Sequence, residues 1–504
     1  MLYIRMLPIY KSNALKLWDR YTINHESITN LQLMDKAALA CVEWILKHIP
    51  QTSPLAILCG NGNNGGDGLA IARILVHYAY NISVYVDTSS TKSDEYNTNY
   101  ERLLSLATVK IFEIEKCLPL SLAKKSVVID CIFGIGLNRP ITGLWQQVVN
   151  SINQSQCKIV SIDIPSGLVA DPSTNNKPEK NASIIKANYT LTFQIPKQSM
   201  LLQGWGDYCG DLIIIDIGLS PNFMAKNQTE NFLISLPSIK ERFLKRIKFS
   251  HKGTYGHALI VAGNKGKCGA AILSAMACMK SGAGLVTVHT PSECHIPIYS
   301  SIPEVMIEET EIELLDMSHY SAIGIGPGIG YHSIQVSLLR KIFAHCKCPF
   351  VLDADALNII SQNPDEFSVL ANTILTPHPK EFDRLVGGSA NAYERLKKAQ
   401  KFAMDKKCIV VLKGAHTSIC CPDGNVYFNS SGNAGMATAG AGDVLTGIIT
   451  SLLAQGYSSI NAAIIGVCIH GAAGDNAANQ KSVTGLLASD IIDNLDYVFK
   501  HLEG

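Results

Sequence analysis

The sequence predicts an α/β protein built from two three-layer αβα domains. Short apolar runs alternate along the chain with amphipathic helical stretches, a rhythm typical of parallel sheets with crossover helices. The length of 504 residues exceeds a single domain of roughly 150 residues. One polar and basic stretch, residues 221–253, interrupts the rhythm. We therefore predict a doubly wound sheet before this stretch and a different α/β domain after it.

The first half follows the order strand, helix, strand. Helical runs at 67–79 and 144–153 separate its apolar segments. We assign residues 1–224 to this first domain. Its predicted strands lie at 55–60, 81–87, 109–114, 126–134, 158–165 and 187–194.

A linker is predicted at 225–239, and residues 240–504 are assigned to the second domain. Small-residue helices are predicted at 269–284 and 442–456. Strand segments are predicted within 256–263, 285–290, 320–330, 349–357, 372–379 and 408–414. The two halves repeat no motif in matching order, which indicates two different domains and not a duplication.

The composition limits the classes of function. Apolar residues make up 47% and charged residues 17%, which favours large buried cores over a disordered chain. A net charge of +1 argues against a nucleic-acid coat protein. The 15 cysteines lie in apolar runs without a CxxC pair, so we expect buried free thiols in a reducing compartment. Metal binding at Cys346 and Cys348, or at Cys420 and Cys421, would need a facing His/Cys pair, which the sequence does not offer.

The start of the chain does not resemble a secretory signal. Arg5, Pro8 and Lys11 interrupt it before an apolar core forms. No apolar run approaches the roughly 20 residues that span a bilayer. We expect a soluble cytoplasmic protein whose partners are small molecules, and neither a membrane nor a nucleic acid.

The run NGNNGGDG, residues 61–68, follows the first predicted strand and opens a helix. Glycines there let backbone N–H groups face a ligand, and a helix start favours negative charge. The spacing is neither the GxGxxG fingerprint nor a P-loop. The run therefore predicts a phosphate cradle, with an ordinary capped turn as the alternative.

Two aspartates close neighbouring strands of the first domain. Asp130 ends VVID, and Asp163 lies in SIDIPSG before Ser166. Because the carboxyl ends of parallel strands share one edge, both should meet the Asn-rich loop in one crevice. Their oxygens suit a hard cation, although each aspartate could simply cap the next turn.

These motifs, NGNNGGDGLAIAR, DCIFGIGLNRPITG and SIDIPSGLVAD, resemble the NAD(P)H-hydrate epimerase domain, also called the YjeF N-terminal domain, which is Rossmann-like. The resemblance covers about residues 10–220. It implies a potassium ion held by Asn64, Asp130 and Ser166. It also implies that the hydrated dinucleotide contacts Asn63, Asn64, Gly65, Gly66, Asp67, Gly134, Ile135, Gly136, Leu137, Asn138, Arg139, Pro140 and Asp163.

The segment Gly440 to Asp443 lies where a small-residue loop enters a predicted helix. Such a turn directs backbone N–H groups at an anion. A carboxylate beside an anion repels it unless it has a task, such as taking a proton from an attacking hydroxyl. From the residues alone, Asp443 is equally well explained as a helix cap.

Two further strand ends carry candidate ligands. His378 lies between Pro377 and Pro379, which fix an extended backbone. Lys413, followed by Gly414, suits a nucleotide phosphate. The alternatives are a structural histidine and an exposed strand-end lysine.

The second half resembles the ribokinase-like superfamily and, more narrowly, the ADP-dependent NAD(P)H-hydrate dehydratases. The segments that carry this are HKGTYGHALIVAG, GIGPGIG, DADALN, LTPHPKEF, VVLKGAHT and NAGMATAGAGDVLTGII. The resemblance implies that Ala270, Gly328, His378 and Asp443 bind the hydrate. It also implies that ADP, accompanied by Mg²⁺, is bound by Lys413, Gly414, Ala415, His416, Thr417 and Gly442. Ala441 stands where relatives often have Ser or Thr, which removes one hydroxyl donor.

Together the resemblances imply a bifunctional repair enzyme, expected to be a homo-oligomer. Its epimerase interconverts the R and S hydrates, with Asp163 as candidate acid or base. Its dehydratase uses ADP to restore NAD(P)H from the S form, with Asp443 as the base. The alternatives are a small-molecule kinase with an accessory domain and a non-enzymatic nucleotide sensor. Neither explains why two hydrate-type motif sets share one chain.

Overall fold

The computed structural model describes residues 6–88, 91–106, 109–118, 120, 122–123, 125–179, 182–310 and 316–504. Residues 1–5, where the predicted first domain begins, lie outside this part. The chain is divided into two compact units. The first unit is residues 8–229 with 391–393, and the second is 1–7, 230–390 and 394–504.

The described residues form eighteen strands. They are β1 (Leu7–Pro8), β2 (Leu55–Cys59), β3 (Ile82–Val86), β4 (Lys110–Glu113), β5 (Val127–Cys131), β6 (Lys158–Ile162), β7 (Tyr189–Phe193), β8 (Asp211–Ile215), β9 (Asn231–Ile234), β10 (His257–Val261), β11 (Leu285–His289), β12 (Met306–Glu308), β13 (Ala322–Ile325), β14 (Phe350–Leu352), β15 (Ile374–Leu375), β16 (Ile409–Leu412), β17 (Ser418–Cys420) and β18 (Val426–Asn429).

Seventeen α-helices accompany them in the same described part. They are α1 (Ser12–His25), α2 (Asn30–His48), α3 (Asn63–Val76), α4 (Asp94–Leu104), α5 (Gly143–Gln154), α6 (Asn222–Lys226), α7 (Leu236–Ile239), α8 (Cys268–Lys280), α9 (His295–Ser301), α10 (Ser333–His345), α11 (Ala354–Gln362), α12 (Pro379–Val386), α13 (Ala392–Lys406), α14 (Ala441–Ala454), α15 (Ser459–Gln480), α16 (Ala488–Asp493) and α17 (Leu495–Glu503).

The first unit is a parallel sheet covered on both faces. Over the described residues its seven strands run in the order β4-β3-β2-β5-β6-β7-β8, and every pair is parallel. Apolar residues of β2, β5 and β6 pack with α5 on one face, while α3 packs on β2 and β5. The doubly wound sheet that the alternating pattern predicts is confirmed, because continuous apolar strands must be buried on both sides.

The second unit contains a larger mixed sheet. Its eleven strands within the described ranges run in the order β1-β9-β18-β17-β16-β15-β14-β13-β10-β11-β12. Every neighbouring pair in the part of this order that runs from β16 through β13 and β10 to β12 is parallel, whereas β17 is antiparallel to both β16 and β18. The small residues of α8 let it pack closely on α14, and both helices join one core cluster with α15.

The segment predicted as a linker, residues 225–239, contains regular secondary structure. Asn231–Ile234 is strand β9, which pairs in parallel with β18, and the division between the units falls at residues 229 and 230. Polar residues flank this four-residue strand. Its burial comes from pairing with β18, which lies nearly 200 residues away in the sequence. Local hydrophobic rhythm cannot report such pairing.

The expectation of free thiols fails for one cysteine pair. Cys268, the first residue of α8, forms a disulfide with Cys294, and their Cα atoms are 5.2 Å apart. Their separation of 26 residues is not a recognisable spacing, so only the fold brings them together. The other cysteines are free.

Within the described ranges, no helix has both the length and the apolar character needed to cross a bilayer.

Candidate active sites

The first candidate site lies where the strand order of the first unit reverses. Chain order runs from β2 outward through β3 to β4, whereas β5 lies on the other side of β2. Ligands bind at such switch points, beyond the carboxyl ends of the strands. The glycine-rich loop follows β2, Asp130 lies in β5, and Asp163 follows β6. The structure therefore brings the three predicted strand ends to one edge.

At Gly60 and Gly65 the glycine-rich loop packs against neighbouring backbone with no room for a side chain. A Cβ on Gly60 would lie 1.9 Å from the carbonyl oxygen of Ile132, and one on Gly65 would lie 1.7 Å from that of Gly60. Helix α3 begins directly at Asn63 with Gly62 as its N-cap. The sequence of this turn therefore places the first N–H groups of α3 at the sheet edge, as a phosphate cradle requires.

Asp130 is the buried centre of a hydrogen-bond cluster. Its Oδ1 accepts from the Ser166 hydroxyl at 2.5 Å, and its Oδ2 accepts from the Ser161 hydroxyl at 2.7 Å and from the Ser166 N–H at 2.9 Å. The Ser166 hydroxyl oxygen also accepts from the N–H of Phe133 at 2.9 Å. Burial raises the pKa of Asp130, and these hydrogen bonds oppose the rise.

Asn64 adds unsatisfied polar atoms to this edge. Its side chain is buried, and neither its amide nitrogen nor its amide oxygen has a hydrogen-bond partner in the described part of the chain. A Cβ on Gly134, next to Phe133, would lie 3.4 Å from the Cβ of Asn64. A buried carboxylate beside amide and hydroxyl oxygens fits a hard cation of low charge, because such ions take oxygen ligands.

Asp163 is held in a strained backbone conformation by a buried partner. Its φ is +65°, a left-handed value that costs energy in a residue with a side chain. Lys197 donates to its Oδ1 and also donates to the Thr192 hydroxyl at 2.8 Å. Only 1% of Lys197 is exposed, so this ion pair is shielded from water.

Two cavities of the first unit are lined by nine of the predicted hydrate-binding residues, whereas Asn64, Gly65, Gly66 and Gly134 line neither. A cavity of about 400 Å³ is lined by Asn63, Asp67, Ile135 and Asp163, with Lys197 and Asp19. A second, of about 640 Å³, is lined by Ile135 to Pro140. Ile135 lines both cavities, so the two halves of the predicted set adjoin.

The second candidate site lies at the start of α14. Gly440, the N-cap, has φ +90°, a value that glycine adopts without a side-chain clash. Asp443 lies in the first turn of the helix. Burial and the nearby Asp353 raise its pKa to about 7, although Lys413 opposes the rise. A carboxyl group with that pKa exchanges a proton readily near neutral pH.

A hydrogen-bonded network at the strand ends of the second sheet contains two groups whose charges shift the pKa of Asp443, namely Asp353 and Lys413. Lys413 donates to Oδ1 of Asp353 at 2.8 Å, and the Thr446 hydroxyl donates to its Oδ2 at 2.8 Å. A Cβ on Gly442 would lie 3.3 Å from the Lys413 Nζ. The structure therefore brings Lys413, Gly442 and Asp443 together.

His378 has a structural task in addition to any ligand contact. Its Nδ1 accepts from the N–H groups of Lys380 and Glu381 at 3.1 and 3.2 Å, which makes it the N-cap of α12. Burial lowers its pKa, so the neutral ring that can accept these bonds is favoured. Glu381 also lies 4.0 Å from the Lys413 Nζ, which connects the cap to the network.

The remaining predicted residues flank this centre. A Cβ on Gly328 would lie 3.0 Å from the Cβ of Ala270, so these two positions adjoin. Gly414, Ala415, His416 and Thr417 form the connection between β16 and β17. The Nδ1 of His416 lies 3.0 Å from the carbonyl oxygen of Asn429.

Comparison with known proteins covers both units. A family model described as NAD(P)H-hydrate dehydratase matches residues 258–496. A model described as the YjeF-related protein N-terminus matches residues 30–199. A bifunctional NAD(P)H-hydrate repair enzyme of Moorella thermoacetica is 34% identical over 96% of this chain and 95% of its own length. The chain belongs to the bifunctional NAD(P)H-hydrate repair enzymes.

Solved structures resemble the second unit of this repair enzyme. A ribokinase-like superfamily protein from Enterococcus faecalis is 30% identical with a TM-score of 0.51, covering 55% of this chain and 99% of that protein. The ADP/ATP-dependent NAD(P)H-hydrate dehydratase of Bacillus subtilis, crystallised with ATP and Mg²⁺, is 31% identical with a TM-score of 0.49, covering 53% and 98%. The Enterococcus protein confirms the ribokinase-like fold of the second unit.

Sequence reasoning missed three charged residues of this repair enzyme. Lys197 follows β7 and reaches Asp163, Asp353 follows β14 and holds Lys413, and Asp19 on α1 lines the first cavity. For Lys197 and Asp353 the available signal was their position just beyond a strand, the rule that singled out Asp130 and Asp163. No comparable signal marks Asp19 within an amphipathic helix.

Proposed function

We propose that this chain repairs hydrated NADH and NADPH in two steps. The first unit interconverts the R and S epimers, and the second dehydrates the S epimer at the expense of ADP, giving NAD(P)H, AMP and phosphate. The observation that carries this proposal is the presence of a site of each kind in a chain that matches both family models. A carboxyl group with a pKa of about 7 at an anion-binding helix start supports the second step.

In the proposed dehydration, Asp443 removes the proton of the hydrate hydroxyl. The hydroxyl oxygen then attacks the terminal phosphorus of ADP, and the bond to AMP breaks. The N–H groups of Ala441, Gly442 and Asp443 stabilise the transferred charge. Phosphate is a better leaving group than hydroxide, so the carbon–oxygen bond then breaks and the ring double bond reforms as the neighbouring carbon loses a proton.

In the proposed epimerisation, the lone pair of the ring nitrogen expels the hydroxyl group from the adjacent carbon. The resulting flat ring takes up water again from either face. Asp163 exchanges a proton with the oxygen that leaves or returns, a role supported by its position in the lining of the cavity that also contains Asn63 and Asp67.

Two ions belong to the proposal. Potassium would be held by Asn64, Asp130 and Ser166, where it would neutralise the buried carboxylate and order the loops around it. Mg²⁺ would accompany the adenine nucleotide at Lys413 to Thr417 and Gly442 and neutralise its phosphate charge. The remaining proposals are residues 1–224 and 240–504 as the functional domains, a cytoplasmic location, a homo-oligomeric state, and no membrane or nucleic-acid partner.

A mixture of R and S hydrates tests both activities in the full chain. We expect ADP to restore the absorbance of the reduced nicotinamide, with chromatography showing the loss of both epimers. A small-molecule kinase would instead yield a stable phosphorylated product. No restored absorbance, with either ADP or ATP, would contradict the dehydratase, and persistence of the R epimer would contradict the epimerase.

A further inference from the structure

Asp19 faces the epimerase cavity from an element that the motifs do not include. It lies on α1, and it lines the cavity of about 400 Å³ together with Asp67, Asp163 and Lys197. The helix that carries it is fixed in place by Trp18, which is buried and donates its indole N–H to the carbonyl oxygen of Ser220 at 2.8 Å. The position of Asp19 at the cavity wall therefore follows from the packing of α1.

The Asp19 carboxyl group has no structural task that explains it. Within the described ranges it makes neither a hydrogen bond nor an ion pair. Its neighbour Thr22, one turn further along α1, does have such a task, since its hydroxyl accepts from the N–H of Ser220 at 2.9 Å. A half-buried carboxyl group that is left unpartnered at a cavity wall is available to a ligand.

Asp19 and Asp163 differ in the charged groups that surround them. The ammonium group of Lys197, which is buried at this cavity, is bound to Asp163. Burial and the charge of Asp163 raise the pKa of Asp19 to about 6, and Lys197 only partly opposes the rise. Burial, with the charges of Asp163 and Asp19, raises the pKa of Asp67 well above its ordinary value. The charged groups that face this cavity are Lys16, Arg20, Asp67, Glu95, Asp163 and Lys197.

Two carboxyl groups in different environments at one cavity are the usual arrangement for an acid and a base. Asp163 is bound by the Lys197 ammonium group, whereas the Asp19 carboxyl group has no such partner in the described residues. The departing hydroxyl of the hydrate needs a proton to leave as water. We infer that Asp19 is the general acid that protonates this hydroxyl at the epimerase site, an assignment that rests on the proposed epimerase function.

The step balances with groups already present. The Asp19 carboxyl group gives its proton to the hydroxyl oxygen, the carbon–oxygen bond breaks, and its electron pair stays with the departing water. The ring nitrogen supplies its lone pair to the same carbon and forms the flat cation. Water then adds to the other face and loses a proton to Asp163, and the reverse direction exchanges the two roles.

The Asp19→Asn variant of the full chain tests the assignment, with Asp19→Glu as the conservative variant. We expect Asp19→Asn to lower kcat for epimer exchange by roughly 10²- to 10⁴-fold, the usual contribution of a general acid, with little change in KM. Asp19→Glu should recover part of the rate. The wild-type kcat should fall as the pH rises above about 6, because the acid loses its proton, and this limb should disappear in Asp19→Asn.

Two controls separate the possible failures. Glu26→Gln removes an exposed carboxylate just beyond the same helix and should leave the exchange rate unchanged. ADP-dependent dehydration of purified S hydrate should proceed normally in every variant and so report intact protein. The assignment would be overturned if Asp19→Asn exchanged the epimers at the wild-type rate and with the wild-type pH profile. It would also be overturned if Asp19→Asn lost rate but kept the fall in kcat at alkaline pH. An absence of epimer exchange in the wild-type chain would instead overturn the proposed epimerase itself.

Discussion

Lys197 donates a hydrogen bond to the carboxylate of Asp163, and both side chains are buried in the first unit. The two residues are 34 positions apart and follow two neighbouring strands, β6 and β7. A charge that is buried alone is costly, so each residue makes the burial of the other possible. This pair fixes the electrostatics of the epimerase cavity.

Replacing Lys197 with Met should destabilise the first unit. The change leaves Asp163 buried without its partner, which typically costs about 3–5 kcal/mol. Urea unfolding followed by tryptophan fluorescence measures this unit alone, because Trp18, Trp44, Trp145 and Trp205 all lie within residues 8–229. The exposed Lys186→Met is the matched control. Equal midpoints for the two variants would show that the ion pair contributes little.

The Asp443→Asn variant should lose dehydration and keep epimer exchange. The amide keeps the shape of the side chain but cannot take the hydroxyl proton, so the rate should fall by roughly 10²- to 10⁴-fold. Recovery of the nicotinamide absorbance on S hydrate with ADP measures the loss, and chromatography of R hydrate without ADP provides the control. Normal dehydration would show that another group is the base.

The dehydratase rate should depend on pH through Asp443. A general base works only when ionised, and burial with the charge of Asp353 raises the pKa of this carboxyl group to about 7. The rate at saturating substrate and ADP should therefore rise as the pH increases through about 7 and then level off. A profile that is flat between pH 5 and 8, in the range where this group titrates, would exclude it as the base.

Potassium should stabilise the first unit through Asp130. A ligand that binds only the folded state at a hundred times its dissociation constant adds about 2.7 kcal/mol to the free energy of unfolding. Tryptophan fluorescence during heating in potassium chloride, with choline chloride at equal ionic strength as the control, measures the effect. Asp130→Asn should abolish it and slow repair of the R epimer, while the S epimer is repaired normally. The same shift in the variant would place the ion elsewhere.

The motifs that begin helices were predictable because their chemistry is local. The glycine-rich run at 61–68 predicts the start of α3, and the small-residue loop before Asp443 predicts the start of α14. Their steric requirements are short-range and depend on residues that are adjacent in the sequence. The carboxyl-end rule also placed Asp130 and Asp163 correctly at one sheet edge.

Pairing between distant segments was not predictable. Strand β9 lies in a segment that reads as a linker, and the disulfide between Cys268 and Cys294 has no signature in its spacing. Both depend on contacts that form only after the sheets assemble. His378 shows the same limit, because its capping bonds to Lys380 and Glu381 emerge only with the first turn of α12.

The sequence by itself determined the two-unit α/β architecture, the repair-enzyme family and the loops of the two candidate sites, since these depend on periodicity and on runs of adjacent residues. Only the tertiary structure decided which charges meet. Asp19, Asp163 and Lys197 come from a helix and two separate strand ends, and burial together with the charge of Asp163 raises the pKa of Asp19. Burial and charge pairing act through space, so the order of residues along the chain does not specify them directly.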